Sequence, residues 1–266
     1  MLLPIQDSSY AINSIYAGMF AEISSLTNNI LANTDLTGLS FAQSTLRASL
    51  AENTENASSI NEGISMIQAT EYAVDTISDK VDRMKELATN AASGEYTQEE
   101  VDVMQTEFDQ LATEINEIAI NTTPDGNNIL NKEGGTVSVS IGTGISISVD
   151  TTVMTTTGLG IIHNIDLTND PEGAVTGLEA AATQIDTYQA HLESKGDSLA
   201  TASQVVSSQS QSLLAVESMV NTIGSAMTMV GSLNTMAASM ASLFLVAQSS
   251  FNIDSIMQII AEDQAA

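Results

Sequence analysis

The sequence predicts a mainly α fold: a rod of long helices packed as a coiled coil, with one small β-hairpin region. Three observations carry this. Only three Pro occur in 266 residues, so few positions force a helix to break. Apolar residues recur at seven-residue spacing over long stretches. Hydrophobic content is 43% but aromatic content only 4%, which suits aliphatic seams between helices better than a bulky core.

The first long helix declares itself through Ile60, Ile67, Val74, Val81 and Ala88, each seven residues after the last. Ile77, Met84 and Ala91 fill the second heptad position, Ile64 and Leu87 widen the stripe, and Gly63 and Thr70 are its weak points. Gly94 follows where a helix stop is expected. A second helix starts near Thr97, with Glu100 three residues on as a capping box. Its seam is Val101, Met104, Phe108, Leu111, Ile115 and Ile118, so the Ala92–Tyr96 connection makes an antiparallel helical hairpin. Thr122-Thr123-Pro124-Asp125-Gly126-Asn127 then breaks the pattern.

Beyond it the period becomes two. Val137, Val139 and Ile141 alternate with serines, as do Ile145, Ile147 and Val149, around a Gly142-Thr143-Gly144 turn. Residues 151–171 read as a connection ending at Pro171. Helix returns from Gly173 and runs toward the end of the chain. Leu199, Val206, Leu213, Val220 and Met227 hold one heptad position; Val216, Ile223, Val230, Ala237, Phe244 and Phe251 hold the other. A continuous helix over 198–264 would be about 100 Å long, with Gly224 and Gly231 as candidate breaks. It needs partners along its length.

Charge excludes several functions. Six Lys+Arg against 33 Asp+Glu gives −27, which argues against nucleic acid and anionic membrane surfaces as partners. The stretch Glu52–Glu117 alone holds 16 acidic residues against Lys80, Arg83 and Lys85, a net of −13. No Cys is present, which removes disulfides and thiolate metal sites. His163 and His191 have no metal-ligand spacing around them and read as ordinary helix or surface residues. Glu99, Glu100 and Asp102 suit a helix start, and Asp125-Gly126-Asn127-Asn128 is a turn without the acidic twelfth residue of a calcium loop. No cofactor and no catalytic set is expected. Ser218–Ile253 is uncharged, but recurrent Ser, Thr and Asn and the absence of flanking Lys or Arg favour a helix buried in an assembly over a membrane span. The N-terminus lacks the features of a cleavable secretory signal.

Asn56–Leu87, NASSINEGISMIQATEYAVDTISDKVDRMKEL, resembles the N-terminal rod helix of bacterial flagellins. The resemblance continues through Ala88–Gly94 and the second helix, the Thr122–Leu130 turn, the alternating hairpin and Thr157–Ile161. At the other end Leu245-Val246-Ala247-Gln248-Ser249-Ser250 and Ile253–Ile260 are similar to the family's terminal motifs. Met219–Gly224 departs from it, standing where the family carries charges, and Thr34–Leu39 keeps its pattern only in part.

The resemblance implies a short flagellin without variable outer domains. Residues 1–44 with 218–266 would form a terminal helical coiled coil at the inner filament core. Residues 45–217 would form a rod of three helices plus a β-hairpin at about 127–150. The inner seam would be Val220, Ile223, Met227, Val230, Ala237, Phe244 and Phe251. It also implies an extracellular homopolymer for swimming motility, exported unfolded, with an export chaperone, cap and hook-junction proteins as partners. A patch formed by Arg83, Leu87 and Glu107 matches the surface by which an animal innate receptor detects the family. A junction or cap protein of the same architecture is the alternative, with a secreted membrane-active translocator further off.

Overall fold

The computed structural model describes the backbone of residues 36–142, 144–161 and 166–263, with side chains described except at 36–38, 237–238 and 240–263. Among the described residues, three helices and one hairpin make up the regular structure: α1 (Leu36–Ala92), α2 (Gln98–Asn121), β1 (Thr136–Gly142), β2 (Ile145–Asp150) and α3 (Pro171–Asp263). A single 3₁₀ turn, Pro124–Gly126, follows α2. Two compact units are present, one holding Leu50–Gln211 and the other the described parts of Glu22–Ser49 and Ser212–Ala266.

In the first unit the α1 stripe is the spine. Ile60, Val74, Ile77, Val81, Met84 and Ala88 are fully shielded from solvent. The helix stops where Gly94 takes a left-handed φ of 69°, a conformation that costs glycine nothing. At the start of α2, Thr97 and Glu100 close a reciprocal capping box. Val101, Phe108 and Ile115 of α2 are buried, while Met104, Leu111 and Ile118 are half-buried at the edge of the same core. The helix runs antiparallel to α1, with Lys80 reaching Glu114 and Arg83 reaching Glu107.

The hairpin pairs Val137 with Val149 and Val139 with Ile147, then shifts register between Ser140 and Gly142 so that Gly142 meets Ile145. Val139, Ile141, Ile147 and Val149 turn inward and the serines outward, as the two-residue period requires. The connection after β2 folds back along residues 129–135: the Thr152 N–H donates to the Ile129 carbonyl and the Met154 N–H to that of Leu130. Asn116 Oδ1 accepts from the Thr156 N–H, and Gln105 Oε1 from the Leu167 N–H. Met154, Leu159, Ile161 and Leu167 thereby become core residues. A polar-looking linker is in fact a plug held by two amides on α2.

Both weak points of the α1 stripe have structural reasons. Thr70 is fully buried and returns its hydroxyl to the Met66 carbonyl at 2.8 Å, so it brings no unsatisfied group inside. Gly63 is where the hairpin comes closest: a Cβ there would lie 2.7 Å from both Val139 methyls and 3.2 Å from a Leu199 methyl. Further along, Asn53 is buried and its amide donates to the Val206 carbonyl and to Ser210 Oγ, both at 2.9 Å.

In the second unit, Leu39, Ala42 and Leu46 of α1 and Leu213 and Val220 of α3 are buried. Gln43 donates to Asn221 and Arg47 lies 3.7 Å from Glu217, so the two helix segments run antiparallel. Neither Gly224 nor Gly231 interrupts α3. By length and composition alone, α3 contains a stretch apolar enough to cross a membrane, with 17% of it buried. Its hydroxyls are turned back on its own backbone: Thr222, Ser225, Thr228, Thr235 and Ser239 each donate to the carbonyl four residues earlier. These five hydroxyls would therefore not be left as unpaired donors among apolar neighbours.

Gly63→Ala will destabilise the first unit by about 1–3 kcal/mol through overpacking, outweighing the roughly 1 kcal/mol that Ala gains in helix propensity. Urea denaturation should show this, and Val139→Ala in the same chain should recover part of the loss.

Candidate functional site

Three surfaces hold the residues that the sequence singles out. On the first, α1 and α2 bring Arg83 and Glu107 together. Arg83 Nε donates to Glu107 Oε1 at 2.7 Å and Nη1 to Glu86 Oε2 at 2.8 Å. The hydrogen bonds that Arg83 donates to Glu107 and Glu86 raise the Arg83 pKa and hold Glu107 below the usual carboxylate range. Leu87 does not join them at the surface. It is one turn on from Arg83 but only 3% exposed, packed into the α1–α2–α3 core.

The same surface shows how an acidic helical unit uses scarce cations. Lys80, Arg83 and Lys85 are the three bases between Glu52 and Glu117, and each bridges α1 to another helix. Lys80 meets Glu114 at 2.5 Å and holds that carboxyl below its ordinary range through its hydrogen bond, while Lys85 meets Glu179 of α3 at 3.0 Å. These are exposed or half-exposed pairs, so their main effect is to relieve repulsion and set register. On the far side, Gln189 of α3 donates to Asp75 at 2.7 Å. Glu71 is pushed up by partial burial and then by the neighbouring acids Glu193 and Asp75.

The second surface is the seam on α3. Val220 is fully buried and Met227 half-buried, in line with Leu213. Ile223 and Val230, at the other heptad position, are 40% and 65% exposed. Met219, Met229, Leu233 and Met236 are also exposed there, making a continuous apolar face without charge. The side chains of Ala237, Phe244 and Phe251 lie outside the described residues. Among the described residues the predicted seam thus divides: Val220 and, in part, Met227 are covered within the chain, and Ile223 and Val230 are presented outward.

The third surface was not legible as a site. Tyr188 and His191, one turn apart on α3, clamp the last residue of β2. The Tyr188 hydroxyl donates to the Asp150 carbonyl at 2.9 Å, and the Asp150 N–H donates to His191 Nε2 at 3.4 Å. The two rings stack with centroids 5.9 Å apart. Burial lifts the Tyr188 pKa well above its ordinary value, with the Asp150 charge adding to it. Beside the clamp lies an open cleft of about 430 Å³, bordered by Thr151, Met154, Thr183 and Thr187. The sequence signal was only Tyr-x-x-His on a helix, indistinguishable from a solvated helix face. His163 lies outside the described residues. Among the described residues, no group of three or more His, Asp or Glu is arranged to hold a metal ion.

His191 gives a pH dependence with a definite sign. Burial is the main cause lowering its pKa, Lys195 lowers it further and the Asp150 carboxylate opposes them. The unfolded chain therefore binds a proton more readily, and stability falls as pH drops through and below the ordinary imidazole range of about 6.5. His191→Gln keeps an acceptor but cannot titrate. Urea midpoints measured between mildly alkaline and mildly acid pH should fall less in the variant than in the parent.

Residues 21–134 match the bacterial flagellin N-terminal helical region. Over 138 residues the chain is 29% identical to flagellin of Salmonella rubislaw, covering 50% of this chain and 28% of that one. Over 177 residues it is 28% identical to flagellin FlaB2 of Treponema pallidum, covering 59% of this chain and 62% of that one. The chain therefore spans less than two thirds of the length of either relative. Among solved structures, Bacillus cereus flagellin superposes with a TM-score of 0.50 at 25% identity, over 55% of this chain and 86% of that one. The helical-region match, the relatives and the fold agree: this chain is similar to the bacterial flagellins along much of its length.

Proposed function

We propose that this chain is the structural subunit of an extracellular flagellar filament, assembling with copies of itself. The observation that carries the reading is the outward line on α3: Ile223, Val230 and Leu233 stand in solvent on a helix segment with no charged residue. An apolar face of that extent is a liability on a free monomer and an asset in a polymer. Head-to-tail contact between unlike faces generates an open helical array, which suits a filament. The family is a structural one, and we assign the chain no enzymatic role.

In this reading residues 1–44 and 218–266 form the inner core of the filament, and residues 45–217 form the outer rod. The acids of Glu52–Glu117 then lie on the solvated outside, and the uncharged α3 segment lies within. The flagellar export route carries the subunit out, with an export chaperone, cap and hook-junction proteins as its successive partners. Swimming motility follows from the polymer, since slight shifts between packed rods switch its shape.

Electron microscopy of the purified, polymerised protein tests this directly: micrometre filaments are expected, and their absence under all salt conditions refutes it. Because screening reaches about 10 Å at 0.1 M ionic strength and about 3 Å at 1 M, assembly at −27 per subunit should strengthen with salt or divalent cations. Ile223→Asp with Val230→Asp should abolish polymer while leaving the helical circular dichroism and melting of the soluble protein near those of the parent.

The Arg83, Leu87 and Glu107 patch is proposed, by family resemblance, as a surface for the animal innate receptor. Arg83 and Glu107 support this by their exposure as a paired surface, whereas Leu87 lies buried beneath it. Purified monomer should stimulate a receptor reporter, and Arg83→Ala should weaken the response. No response from the parent at any dose refutes the assignment.

A further inference from the structure

We propose that Met219, Met229 and Met236 are oxidation sites whose conversion to the sulfoxide blocks self-assembly before the subunit is incorporated. This rests on the filament reading above.

The argument begins with sulfur chemistry. The sequence has 12 Met and no Cys, so thioethers are the only sulfur available to a two-electron oxidant. The structure sorts these thioethers sharply. Met66, Met84 and Met154 lie in the core of the first unit at 3%, 0% and 2% exposure. Met219, Met229 and Met236 are 58%, 66% and 56% exposed. All three sit on the uncharged α3 segment alongside Ile223, Val230 and Leu233, the face assigned to packing between copies. Among the described residues, accessible sulfur is thus concentrated where polarity does most harm.

The reaction is an oxygen transfer from a hydroperoxide. The sulfur lone pair attacks the terminal peroxide oxygen, an S–O bond forms and the O–O bond breaks. Sulfur is oxidised by two electrons, and hydrogen peroxide leaves as water. A flexible apolar side chain becomes a polar one with a strong acceptor. Neighbouring hydroxyls cannot satisfy that acceptor cheaply, because Thr222, Ser225, Thr228 and Ser232 already donate to backbone carbonyls of their own helix. Buried between copies, the sulfoxide oxygens would lack donors. Once in a polymer the same residues would be shielded, so the sensitive species is the free subunit.

The test uses the full chain and hydrogen peroxide. Mass mapping of the treated monomer should show Met219, Met229 and Met236 gaining oxygen well before Met66, Met84 and Met154. The concentration needed for sedimentable polymer should rise roughly tenfold or more, as expected for unsatisfied polar groups in an apolar contact. Methionine sulfoxide reductases should restore it. A chain carrying Met219→Leu, Met229→Leu and Met236→Leu should polymerise equally well before and after peroxide. If the treated parent assembles as well as the untreated one, or the triple variant loses assembly on treatment as the parent does, the inference falls while the filament reading stands. If untreated parent never polymerises, both fall.

Discussion

Everything in the first unit depends on giving the apolar stripe of α1 a partner at every turn. A helix of this length has a single long seam, and its burial, more than its intrinsic propensity, is what holds it. Four different elements share the task. α2 covers one flank with Val101, Phe108 and Ile115, and α3 covers another with Leu178, Ile185, Leu192 and Leu199. The hairpin presses Val139 onto Gly63, and the connection after β2 contributes Met154, Leu159, Ile161 and Leu167. The hairpin is too small to be stable alone; it persists because its inward face completes the core of a helical unit.

Electrostatics follows from the same arrangement. Interior positions are aliphatic, so the acids are driven outward, where they repel one another along the helices. Three bases placed at inter-helix contacts offset part of that repulsion and align the helices. The Tyr188–His191 clamp does comparable work with neutral groups, anchoring Asp150 by its own backbone and leaving its carboxylate at the surface. The acids of Glu52–Glu117 and the uncharged stretch Ser218–Ile253 are separate features of the sequence, and only under the filament reading proposed above does the second become a packing surface.

Much of this was legible because period is a direct consequence of geometry. Ile60 to Ala88 could only be one face of a helix, Val137 to Val149 only one face of a hairpin, and Thr97 with Glu100 a helix start. What the sequence misjudged were residues whose meaning depends on what lies across from them. Gly63 looked like a flaw in a stripe, and the hairpin methyls above it make it the one residue that fits. Residues 151–171 read as a connection, which they are, but the sequence did not show that side-chain amides on Asn116 and Gln105, 40 or more residues away, hold Thr156 and Leu167. Leu87 shares a face with Arg83 on a helical projection, yet a side chain one turn along can point into the core.

The sequence by itself determined that the chain is helical, acidic outside and aliphatic within, since periodicity and composition are properties of neighbours along the chain. Which of the two equivalent seams on α3 is buried within the chain follows from long-range packing. Leu213 and Val220 are covered within the protomer, whereas Ile223 and Val230 are left exposed. The two lines are interchangeable in a heptad plot, and the choice between them rests on the packing angle of a partner helix, which no local pattern encodes.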